Sequence, residues 1–147
     1  MNNNQKDSLE YQEAKLFQYS DNTVIDVLTE KEEGESSSKF VLIKHDYYSS
    51  DSDYGRKVLS VFISCLCDSQ YSNLNIFILD SGTLILNDNH PLYSKINQLI
   101  AKAKTVVVDN ESIEINSICH INSKVEIRPI ESIVEDLVYL RNVLVLE

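Results

Sequence analysis

The chain has 147 residues, 43% of them hydrophobic and 24% charged, which suits one globular domain with a short appendage. Its 13 Lys and Arg against 23 Asp and Glu leave a net charge of -10, which speaks against a nucleic-acid binder because phosphate recognition needs concentrated positive charge. No apolar run approaches the roughly 20 residues of a membrane span, and the opening Met-Asn-Asn-Asn-Gln-Lys-Asp lacks the apolar core of a signal peptide, so a cytoplasmic protein with no membrane association is expected.

Residues 1–38 hold three lysines and nine acids and read as an acidic, partly disordered N-terminal extension and linker. Leu9, Leu16, Phe17, Tyr19, Val24, Ile25, Val27 and Leu28 give it a short apolar pattern that suits a docking helix. The run Glu30 to Ser38 is a solvated linker. A compact domain is expected over 39–147. Lys39 to Lys44 is a short apolar run of strand type. Tyr54 to Cys67 has helical spacing, with Leu59, Phe62, Ile63 and Leu66 on one stripe. Leu74 to Leu79 is a second strand. Pro91 to Lys104 is a second helix, because proline suits a first turn and Leu92, Ile96, Leu99, Ile100 and Ala103 share a face. Thr105 to Val108 and Lys124 to Arg128 are further strands. Pro129 opens another helix with Ile130, Ile133, Val134, Leu137 and Val138 inward, and Val143 to Leu146 is a last strand. Short β-branched strands separated by helix-length segments predict βαβ crossovers. The expected fold is α/β, a three-layer α/β/α arrangement with a mainly parallel five-stranded sheet.

The odd cysteine count, Cys65, Cys67 and Cys119, points to reduced thiols in place of a disulfide framework. Cys65 and Cys67 stand about 200° apart on a helix and cannot act as a pair; Cys65 is expected in the core and Cys67 near the surface or under a loop. Three scattered glycines exclude a glycine-rich phosphate cradle. His45, His90 and His120 lie in no metal-ligand spacing, and Asp51-Ser-Asp-Tyr-Gly55 lacks the glycine and glutamate positions of a calcium loop. No metal and no cofactor are expected. In such a sheet ligands meet the loops at the carboxyl ends of the strands. Those loops are His45 to Asp53, Asp80 to His90 and Asp109 to Ser123.

Four stretches carry a family resemblance: Asp53-Tyr-Gly-Arg-Lys-Val-Leu-Ser-Val-Phe62, Asn75-Ile-Phe-Ile-Leu-Asp-Ser-Gly82, His90-Pro-Leu-Tyr-Ser-Lys-Ile-Asn-Gln-Leu99, and Ile130 to Leu137 with Val143 to Leu146. In order and spacing, residues 39–147 resemble the DsrE/DsrF-like family, closest to the carboxyl-terminal domain of YedF-type putative sulfurtransferases linked to selenium metabolism. The resemblance implies oligomers, with like or mixed DsrE-like subunits, and a sulfur-carrier protein as partner. Where the YedF-like pattern runs into Cys-Gly-Thr-Cys, this sequence has Asp109-Asn-Glu-Ser112. Persulfide transfer needs a thiolate, and a serine hydroxyl without a base is a far weaker nucleophile.

Asp80, Ser81 and Gly82 are the family feature this sequence keeps, and with Asp109, Asn110 and Ser112 they form the candidate pocket. Asp80 and Asp109 end neighbouring predicted strands. Their carboxylates either face one pocket, where close carboxylates share a proton, or serve locally, Asp80 capping the next turn and Asp109 ending its strand in solvent. Cys119, beside His120, is the one weak catalytic candidate. Two functional classes follow. The favoured one is a non-catalytic oligomeric binding or assembly module related to sulfur relay or selenium metabolism. The alternative is a sulfurtransferase-like enzyme using Cys119 or the Asp80 and Asp109 loops.

Overall fold

The computed structural model describes residues 37–147. The extension expected at 1–38 therefore lies outside the described residues, apart from Ser37 and Ser38. Five strands, β1 (Ser38–Ile43), β2 (Asn73–Ile78), β3 (Thr105–Asp109), β4 (Val125–Arg128) and β5 (Val143–Leu146), form one sheet. Its order is β4-β3-β2-β1-β5, and every pairing is parallel. The helices are α1 (Asp53–Cys67), α2 (Tyr93–Lys102), α3 (Asn110–Ile115) and α4 (Ile130–Tyr139), with a 3-10 helix over Asp80–Leu86.

The chain builds outward from β1 to β4, then returns once to place β5 on the far side of β1. Right-handed crossovers put the helices of an outward run on one face and the helix of the return on the other. The two apolar cores follow that rule. Val41, Ile43, Ile76, Ile78, Val106 and Val108 point one way, into Leu59, Ile63 and Leu66 of α1 and Ile96, Leu99 and Ile100 of α2. The alternate positions Phe40, Leu42, Phe77 and Val107 point the other way, onto Ile133, Leu137 and Leu140 around α4. Period-two alternation along each strand is what divides the cores.

Four sequence expectations change, one of them on α4, where Val134 and Val138, expected inward, are exposed. Residues 80–86 and 110–115 are helical where loops are expected. The second helix starts at Tyr93, not Pro91, because Nδ1 of His90 accepts the Leu92 N–H (3.0 Å) and its carbonyl takes the Tyr93 N–H (3.0 Å) in a preceding turn. Cys65 is exposed, whereas Cys67 packs against the main core, the reverse of the expected pair. The α1 stripe turns on Leu59, Ile63 and Leu66, so position 65 falls on its outer side. Gly55 in α1 is required by close approach: a Cβ there would lie 1.9 Å from the Ser50 carbonyl oxygen. Among the described residues no helix is long and apolar enough to cross a membrane.

Candidate functional site

The carboxyl ends of the strands carry the polar chemistry. β2 ends in a sharp turn at Asp80, whose φ of 53° is left-handed and uncommon for a residue with a side chain. Side chains from two other places hold its backbone. Its N–H donates to Ser112 Oγ (2.8 Å), and its carbonyl accepts from Asn116 Nδ2 (3.1 Å) and Thr83 Oγ1 (2.9 Å). Asn116 Nδ2 also donates to Thr83 Oγ1 (2.7 Å). Behind Ser112 sits Asp109, the N-cap of α3. One carboxylate oxygen accepts the Ser112 N–H (2.7 Å) and the other the Ser112 hydroxyl (2.8 Å). Thr83, Asp109 and Ser112 are the buried polar residues among those described, and all three belong to this network. Strained backbone persists only where its surroundings over-determine it, and here they do.

Asp109 does not end its strand in solvent: it is 5% exposed and caps α3. Neither does Asp80 cap the following turn with its carboxylate, since it is its carbonyl that meets Thr83. The two aspartates are joined through Ser112 and not by a direct hydrogen bond. Asp80 and Asn110 are exposed. Gly82 is buried, its N–H shared between the Lys44 and Leu79 carbonyls (3.1 and 2.9 Å), and a Cβ there would meet the Ile43 carbonyl oxygen at 2.7 Å. The glycine thus lets the turn close onto the end of β1.

Two histidines on these carboxyl-end loops find partners that no sequence motif marks. His45 Nδ1 lies 3.1 Å from Ser81 Oγ, and its ring stacks parallel on Tyr47 at 4.8 Å between centroids. His90 Nε2 donates to Asp46 Oδ2 (2.9 Å), its Nδ1 already accepting from Leu92. Both partners of that pair are nearly buried, and Asp46 also lies 3.9 Å from Arg56. The Arg56 guanidinium is held above its ordinary value, first by its hydrogen bond to Asp51 (3.0 Å). Lys44 pairs with Glu147 across the β1–β5 junction, and this contact holds the Glu147 carboxyl below its usual range, with a smaller contribution from His45. Sequence separation hides such pairs: Ser81 is 36 residues from His45, and no motif links them.

Cys119 is exposed on the loop after α3, its thiol 3.6 Å from the Ser117 carbonyl. It lines a cavity of about 190 Å³ with Asp88 and His120, and His120 also lines a second cavity of similar size beside Tyr93 and Asn97. Cys67 differs: burial pushes its thiol up from the ordinary value. On the opposite face an open groove of about 500 Å³ runs between α4 and β4 over Phe40, Phe77 and Val107. Among the described residues no group of three or more His, Cys, Asp or Glu side chains is placed to hold a metal ion.

No family model matches the chain, and a search of curated proteins returns no match. Among solved structures, it is similar to the ychN protein from E. coli, a protein of DsrE-like fold. The identity is 16% and the TM-score 0.50, over 73% of this chain and 98% of that one. At this identity the likeness concerns the fold alone: the described domain has the parallel α/β architecture of the DsrE-like fold.

Proposed function

We propose that this chain is an oligomeric binding or assembly module of DsrE-like type that does not itself transfer sulfur. One observation carries the reading. At the two positions that the YedF-like pattern gives to cysteine stand Asp109 and Ser112, and both are buried and hydrogen-bonded to each other. A carboxylate cannot carry sulfane sulfur, and the Ser112 hydroxyl is tied between Asp109 and the Asp80 N–H. The pair works as a helix cap that fixes the turn at Asp80. What the loop then presents to a partner is Asp80, Ser81 and Asn110. A cytoplasmic setting, assembly with like or DsrE-like subunits, a sulfur-carrier partner and a role in sulfur relay or selenium metabolism follow from the resemblance.

A sulfurtransferase-like enzyme is the second reading, and the exposed Cys119 beside His120 and Asp88 favours it. One experiment separates the two. The purified full chain is treated with a sulfane-sulfur donor, and intact and peptide masses are read before and after adding an acceptor thiol. No transferable persulfide is expected, and sedimentation at micromolar concentration is expected to show an oligomer. A stoichiometric persulfide on Cys119 that passes to the acceptor overturns the module reading in favour of the enzyme.

A further inference from the structure

Three side chains follow three adjacent strands at their carboxyl ends. Ser81 comes after β2, His45 after β1 and Glu147 after β5, and the sheet order places β1 between the other two. The β1–β5 junction is where the strand order reverses, which is where open α/β sheets bind ligands. Ser81 Oγ and His45 Nδ1 are within hydrogen-bond reach at 3.1 Å, and both residues are half-buried. The imidazole plane is fixed by stacking on Tyr47. Glu147 is held by Lys44 at the neighbouring strand end. Behind Ser81 the backbone is fastened on both sides, through Asp80 by the buried Ser112, Asp109 and Thr83 network, and through Gly82 by the Lys44 and Leu79 carbonyls. A nucleophile beside a base, with the base oriented by further groups, is the arrangement that activates a hydroxyl.

We infer that Ser81 is an activated nucleophile, with His45 as its base and Tyr47 holding the imidazole plane, and that it takes acyl groups from small carboxylic esters or thioesters. Ser81 Oγ forms a bond to the carbonyl carbon while His45 Nδ1 takes the hydroxyl proton. The bond to the leaving alcohol or thiol breaks, and that group takes the proton from His45. Water then repeats the sequence at the acyl-serine, releasing the acid and restoring the hydroxyl. No electrons are exchanged with an outside partner. The inference is independent of the assembly reading: it concerns ester chemistry at Ser81, and its failure leaves the persulfide and sedimentation results untouched.

The test uses the full chain and a fluorophosphonate probe at neutral pH. Ser81 Oγ bonds to phosphorus, fluoride leaves, and the proton passes to His45. Peptide mass spectrometry is expected to find the label on Ser81. Ser81→Ala is expected to abolish labelling, and His45→Gln to slow it by about 100-fold, the scale of general-base assistance. A wild-type chain with no label on Ser81, or with label spread over surface hydroxyls at equal rates, overturns the inference without recourse to any variant. Equal rates in the wild type and in a His45→Gln chain of native circular dichroism overturn the role of the base.

Discussion

The two faces of the sheet are closed to different degrees. On the face shared by α1, α2 and α3, 19 buried apolar residues form one cluster; on the α4 face three do, Phe77, Val107 and Ile133. The strands contribute, for beside Phe40, Leu42, Phe77 and Val107 the α4 face carries Asn75, Thr105, Glu126 and Arg128, whereas the residues that alternate with them on β2 and β3 are apolar. The path of the chain adds to this: it makes three crossovers outward and one in return, so a single ten-residue helix has to cover the second face. Val134, Val138 and Tyr139 of that helix remain 45%, 69% and 81% exposed. Connection order and strand composition thus act together on how much of the sheet is sealed.

That contrast breaks or sharpens under substitution. Ile63→Ala, at a fully buried site on the three-helix face, is expected to cost about 3–5 kcal/mol, and Ile133→Ala, equally buried under α4, about 2–3 kcal/mol. The second is smaller because side chains beside an open groove have room to relax into the cavity. Urea unfolding of both variants checks this, and equal costs would erase the distinction between the faces. A middle effect is expected from Ser112→Ala, about 1–3 kcal/mol in the same assay, because it leaves the buried Asp109 carboxylate and the Asp80 N–H each short of a partner. A cost near zero would mean that the polar network is not what holds the turn. The smallest effect belongs to the exposed Lys44–Glu147 pair at the end of the sheet. The Glu147 carboxyl is lowered in the folded chain, so its contribution is present above the ordinary carboxylate value and lost as pH falls through the lowered one. Lys44→Gln is expected to lower the urea midpoint slightly at neutral pH, and the difference from the unsubstituted chain is expected to vanish as pH falls through the lowered carboxyl value.

Much of this architecture is legible in the sequence. Val106-Val-Val108 and Asn75-Ile-Phe-Ile78 are short buried runs, and the Leu59, Ile63, Leu66 stripe marks α1 as helix. What escapes is short or long-range. The six-residue α3 has too few turns to show a period; its one signal is Asp109 three residues ahead of Ser112, the spacing of an N-cap and the amide it accepts. The 3-10 helix holds Leu84, Ile85 and Leu86 in a run without helical spacing. Cys65 and Cys67 exchange roles because periodicity locates a stripe but not its edge to within one residue. The site divides in the same way. Asp80, Ser81, Gly82, Asp109 and Ser112 are all visible as loop residues at strand ends, and the contacts among them need only neighbouring strands. His45 is visible as the start of such a loop, but its contact with Ser81 is not, because that depends on β1 and β2 lying in register and on the loop after β1 folding back onto the turn.

The position of β1 has a consequence for how the protein is made. Its partners on one side begin at Asn73, but on the other side Phe40 pairs with Val143, more than a hundred residues later. Until β5 is made, β1 therefore presents one row of unpaired amides and carbonyls, the form of surface that templates aggregation. Closing it requires the most non-local strand pairing in the described domain, so β5 docking is expected to come late in folding.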